Sequence, residues 1–128
     1  MRISSLAAAL TLLAVAATPV GVAAHTQLAA STPAQSSTVA RPRTVTLTFA
    51  EAVSPTASAA SIVMTAMPGV PNHGEMVIRN FTTAWSSDNK TMTLTLRQPL
   101  PVGSYDVRWQ ATGADGHRVT GTVSFTVN

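Results

Sequence analysis

The chain of 128 residues carries 8 Lys and Arg against 5 Asp and Glu, a formal charge of +3, with 45% hydrophobic and 5% aromatic residues and no cysteine. That length supports one core of about a hundred residues once a leader is set aside, and the missing thiols exclude disulfides, iron–sulfur clusters, cysteine zinc sites, cysteine nucleophiles and cysteine-ligated blue copper. The bases are scattered and no glycine-aromatic RNA-binding signature occurs, which excludes a phosphate-tracking surface and nucleic acid as a partner.

At the amino end, Arg2 precedes an apolar run from Leu6 to Ala17, Thr18, Pro19 and Gly21 break it, and Val22-Ala23-Ala24 supplies small residues for cleavage. The pattern predicts a signal peptide over residues 1–24, removed on export, because a membrane anchor takes roughly 20 uninterrupted apolar residues. His25 then opens a mature domain of residues 25–128. As a first residue it offers two donors, a free α-amine and an imidazole, both of which lose protons near neutral pH when a metal competes.

Next comes a Ser/Thr/Ala-rich stretch, Ala29 to Thr38, expected to be flexible. The first clear strand follows, with Val45, Leu47 and Phe49 alternating against Thr44, Thr46 and Thr48, the period-2 pattern of a half-buried strand. Ser61 to Thr65 and Met76 to Asn80 read as less regular strands. The alternation returns at Met92, Leu94 and Leu96, at Tyr105, Val107 and Trp109, and at Val119, Val123, Phe125 and Val127. Turn residues punctuate these segments at Ser54-Pro55, Pro68-Gly69, Pro71-Asn72, Ser87 to Asn89, Pro99 to Gly103 and Gly113 to Gly116. Strands at this spacing, without a helical stripe, predict an all-β antiparallel sandwich or small Greek-key barrel whose site sits on its end loops.

Three histidines are available: His25, His73 and His117. Asp115 and His117 flank Gly116 between two well-patterned strands, where i and i+2 side chains in extended backbone share a side and converge on one ion. The same string also reads as a hairpin turn with the aspartate bonded to its own backbone. Trp109 reads as core, Trp85 as half-exposed, and Glu75, Asp88 and Asp106 as solvated surface.

With these residues the chain resembles the CopC family of periplasmic copper-resistance proteins, including its YobA-like members. The resemblance rests on the leader ending before His25, then Ser31-Thr32-Pro33-Ala34, Val45 to Glu51, Leu100 to Tyr105, Ala114-Asp115-Gly116-His117, and Gly121 with Phe125-Thr126-Val127. It implies an immunoglobulin-like β-sandwich with a Cu(II) site built from the His25 amine and imidazole, Asp115, His117 and Glu51. Nitrogen and oxygen donors in a tetragonal plane are what Cu(II) prefers. Ala50 and Ala52 flank Glu51 where Ser and Pro are usual in the family.

Met64, Met67, His73 and Met76 form a second cluster, similar to the methionine-rich loop of two-site members, with Val70 where another methionine is expected. Soft thioethers suit Cu(I), and methionine is also a core filler. The resemblance further implies a monomeric carrier in the periplasm whose partners are the copper ion and a CopD-type inner-membrane transporter or another periplasmic copper protein. Two other readings stand beside the carrier. One is a histidine-brace copper monooxygenase; the other is a metal-free immunoglobulin-like interaction module. Hydrolysis has no support, since no Gly-x-Ser-x-Gly elbow occurs.

Overall fold

The computed structural model describes residues 26–128; the expected signal peptide, residues 1–24, and His25 lie outside the described residues. Among the described residues there are nine strands: β1 (Leu28–Thr32), β2 (Thr38–Val39), β3 (Thr44–Phe49), β4 (Ala59–Ala66), β5 (Met76–Ile78), β6 (Phe81–Trp85), β7 (Thr91–Leu96), β8 (Gly103–Thr112) and β9 (Arg118–Val127). One 3-10 turn, Pro55–Ala57, precedes β4. One sheet has the order β1-β3-β7-β6 and the other β2-β9-β8-β4-β5. The two face each other as a Greek-key sandwich, the architecture the strand pattern predicts.

Alternation decides which side chains meet. Val45, Leu47 and Phe49 stand opposite the inward side chains of β8 and β9, and Leu47 pairs with Met92 across β3 and β7. Trp109 packs edge-on against Phe49, with ring centroids 5.2 Å apart, and Tyr105 stacks on Phe125 at 5.6 Å. Burying such side chains contributes roughly 1.5–3 kcal/mol each relative to leaving them in water. The outward residues of β3 and β7 are threonines in register, Thr46 with Thr93 and Thr48 with Thr91, the latter pair joined through their hydroxyls at 3.2 Å. Tyr105 is buried among the inward side chains, and its hydroxyl donates to the Pro101 carbonyl at 2.6 Å.

Three sequence expectations are corrected here. The stretch read as flexible is structured: β1 pairs antiparallel with β3, and β2 pairs parallel with β9. Ser36 N–H donates to the Ser124 carbonyl, and the Gln35 side-chain oxygen accepts from Ser124 N–H. Second, β6 is a strand that the pattern did not flag, because its inward set of Phe81, Thr83 and Trp85 has threonine in the middle. Third, Glu75 is on the surface as expected, but Asp106 is half-buried and both are paired. Arg108 forks onto Glu75 at 2.6 and 3.1 Å and reaches Asp106 at 3.4 Å, while Asp106 also accepts from the Ser124 hydroxyl.

Candidate metal centre

The turn between β8 and β9 closes at the Thr112–Arg118 pair. Gly113 N–H donates to the His117 carbonyl and Gly116 N–H to the Gly113 carbonyl, with Gly116 at φ +84°, a left-handed conformation that costs glycine least. This geometry folds Asp115 back on His117. Asp115 Oδ1 accepts the His117 backbone N–H at 2.9 Å, and Oδ2 lies 3.0 Å from His117 Nδ1. The pair therefore meets through a turn and not along extended backbone as the spacing suggested. The hairpin-turn reading of the motif holds: the aspartate bonds to backbone, and it also contacts the imidazole. The backbone N–H of His117 is the main cause that keeps the Asp115 carboxyl below its usual range; desolvation opposes it, and the His117 ring adds a smaller lowering effect.

Two other segments converge on this turn. Val53 forms an antiparallel bridge with Gly113, and Ser54 N–H donates to the Thr112 carbonyl. Ala50 N–H donates to the Gln27 carbonyl, which ties the start of the described chain to the end of β3. Thr26 is 3% exposed, the one buried polar residue among those described. A methyl group built on Gly113 would lie 2.6 Å from Thr26 Oγ1 and 3.2 Å from Asp115 Oδ1. Thr26 thus sits against the turn that carries Asp115 and His117, and consecutive Cα atoms are about 3.8 Å apart. Sequence reasoning marked Gly113 only as a turn residue and did not single out Thr26. Only the folded path makes them neighbours.

Glu51 is exposed just after β3. Among the described residues no group of three His, Asp or Glu side chains is placed to hold a metal, so Glu51 is not brought into the Asp115–His117 pair. The pair lies on an exposed turn. A groove of about 440 Å³ lies elsewhere, across β4, β8 and β9, and contains no histidine or carboxylate.

The methionine cluster occupies the other end of the sandwich, where β8 begins. Met64 is in the core at 1% exposure and is the cross-strand partner of Met76, which is 47% exposed. Met67 packs partly against the core and bridges Val70. His73 Nδ1 lies 2.6 Å from the Gly74 carbonyl. The structure therefore sets Met64 beneath the loop and Met67, His73 and Met76 within or beside it. The Glu75–Arg108 pair adjoins Met76, and the guanidinium hydrogen bond holds the Glu75 carboxyl below its usual range.

A family profile described as CopC domain matches residues 28–128. The chain belongs to the CopC family. Copper resistance protein C of Pseudomonas syringae pv. tomato is 41% identical over 104 residues, covering 81% of each chain. The protein of the same name from Escherichia coli is 38% identical, covering 81% of this chain and 82% of its own. The crystal structure of PcoC, a methionine-rich copper resistance protein from Escherichia coli, superposes with a TM-score of 0.73 at 37% identity, covering 82% of this chain and all of that one. CopC members are thus related to this chain along nearly all of its described length, and the sandwich is theirs.

Proposed function

We propose that this CopC-family protein is an exported periplasmic carrier that binds Cu(II) through the His25 amine and imidazole, His117 and Asp115, and serves copper buffering, delivery or resistance. The copper-resistance relatives support the copper reading, and the donor chemistry supports the oxidation state, since two kinds of nitrogen and a carboxylate suit the tetragonal preference of Cu(II). The observation that carries it is the burial of Thr26 against Gly113, in the turn where Asp115 and His117 already touch. Signal-peptide cleavage before His25 then leaves the new amine one residue from that seat. Glu51 joins only if its exposed side chain swings toward the pair.

The reading is of a carrier and not an enzyme. Four donors fill the strong positions of the plane, and an anionic carboxylate favours the oxidised ion. Copper is cargo, passed to a CopD-type inner-membrane transporter or another periplasmic copper protein. A separate Cu(I) site is proposed at Met67, His73 and Met76 with Met64 beneath them, supported by the Met64–Met76 register and by sulfur's preference for the soft ion. Copper titration of the protein beginning at His25 tests the main site. His117→Ala and Asp115→Ala should each weaken Cu(II) binding at least tenfold; full affinity in both variants would defeat the assignment.

A further inference from the structure

We propose that the methionine end of the sandwich docks on an anionic lipid surface, a role that does not rest on the copper assignments above. The basic residues are scattered along the sequence, but the fold gathers four of them at this end. Arg41 and Arg43 lead into β3, Arg97 follows β7, and Arg79 lies just before β6. Backbone hydrogen bonds tie these segments side by side: Leu96 N–H donates to the Arg43 carbonyl, and Arg97 N–H to the Asn80 carbonyl. All four arginines are exposed. The Arg43 guanidinium donates to the Arg97 carbonyl at 3.0 Å, and none of the four has a carboxylate partner among the described residues.

The carboxylates lie elsewhere or are already engaged. Glu51 follows β3 at the opposite end, with Asp115 in the β8–β9 turn and Asp88 in the β6–β7 turn, where Lys90 and Arg118 balance most of their charge. Glu75 and Asp106, the other two of the five, both accept from Arg108. A surplus of cations is therefore confined to the methionine end. The exposed large apolar side chains among the described residues share that end: Val70, Met76 and Val77, at 44%, 47% and 49% exposure, on the β4–β5 loop and on the edge strand β5. The loop from β7 to β8 joins the two groups. Leu100 N–H, within it, donates to the Pro42 carbonyl between Arg41 and Arg43, and a Cβ on Gly103, where it ends, would lie 2.7 Å from the Ala66 carbonyl oxygen at the start of the β4–β5 loop.

Arginines beside exposed apolar side chains match an anionic bilayer, whose headgroup phosphates accept from guanidinium groups and whose acyl boundary takes up the apolar residues. An acidic peptide would satisfy the arginines alone, so the combination selects lipid. Docked in this way, the molecule holds the β4–β5 loop against the membrane and keeps the Asp115–His117 turn, the length of β8 away, in solvent.

The test is cosedimentation of the metal-free chain beginning at His25 with vesicles of phosphatidylcholine alone, and of phosphatidylcholine with one third phosphatidylglycerol. The unchanged protein should bind the anionic vesicles and not the neutral ones, and added salt should release it. Arg79→Gln with Arg97→Gln should weaken binding roughly twentyfold, from about fivefold per arginine. Val70→Ser should weaken it several-fold by removing an apolar contact with the acyl boundary. Lys90→Gln with Arg118→Gln removes the same charge at the opposite end and should leave binding unchanged. The proposal is overturned if the anionic vesicles are not bound, or if the Lys90 and Arg118 pair matters as much as the Arg79 and Arg97 pair, since net charge alone would then account for binding. It is also overturned if Val70→Ser binds as the unchanged protein does while soluble polyglutamate displaces the vesicles, an outcome that would make the partner an acidic protein.

Discussion

At the scale of single residues, the account turns on side chains whose partners fix their chemistry. Asp115 gives both carboxylate oxygens to His117, one to its backbone N–H and one to its ring, so the fold itself assembles the pair. Tyr105 is the other case: burial pushes its hydroxyl up to about 12, against about 10 in an unfolded chain. Between those values the unfolded state has released the proton and the folded state retains it, so stability is full below pH 10 and falls as pH rises toward 12. Tyr105 is the only tyrosine, so phenolate absorbance reports it directly. The native protein should titrate well above free tyrosine, and Tyr105→Phe should abolish this part of the alkaline loss; titration at the ordinary tyrosine value would refute the burial argument. The Asp-x-His pair was legible in the sequence because both members lie within three residues. Thr26 was not, since its meaning depends on Gly113, far along the chain and brought close only by the sandwich.

Among the elements, strands with large apolar residues at every second position were readable, as in β3, β7 and β8. β1 and β2 were not: β1 carries one large apolar residue in Leu-Ala-Ala-Ser-Thr, and β2 has two residues and no period. Both are strands because neighbouring strands supply hydrogen-bonding edges. Gly121 shows an opposite constraint, where a missing side chain admits a neighbour. It pairs with Trp109, and a Cβ there would lie 2.4 Å from the indole Cζ2. Gly121→Ala should destabilise by about 1–3 kcal/mol through overpacking. Urea unfolding followed by tryptophan emission measures this, and a loss under about 0.5 kcal/mol would show that the indole yields easily. On the other face of that sheet, Arg108 spans β4 to hold Glu75 beside the methionine loop. The pair is exposed and screened by salt, so Glu75→Gln should leave the thermal midpoint nearly unchanged while speeding amide exchange in residues 67–76. Unchanged exchange there would mean the loop is held by its own turns.

For the whole molecule, β8 sets the scale. Its ten residues run from the methionine end at Gly103 to the Asp115–His117 end at Thr112, a span of about 30 Å. The two proposed copper sites, that far apart on one sandwich, should load independently. Met67→Leu with Met76→Leu should lower Cu(I) affinity and leave Cu(II) affinity in place; loss of both would point to one shared site. The carrier reading also predicts slow reduction of the loaded protein by ascorbate and no sustained peroxide production. The most direct test of the central claim compares two proteins that differ by one residue, the form beginning at His25 and the same form with an alanine ahead of it, titrated with Cu(II) under electron paramagnetic resonance. The account predicts one tightly bound copper per chain in the first, and in the second a changed spectrum with much weaker binding. Identical spectra and affinities in the two forms would contradict it, because the amine of His25 would then hold no copper.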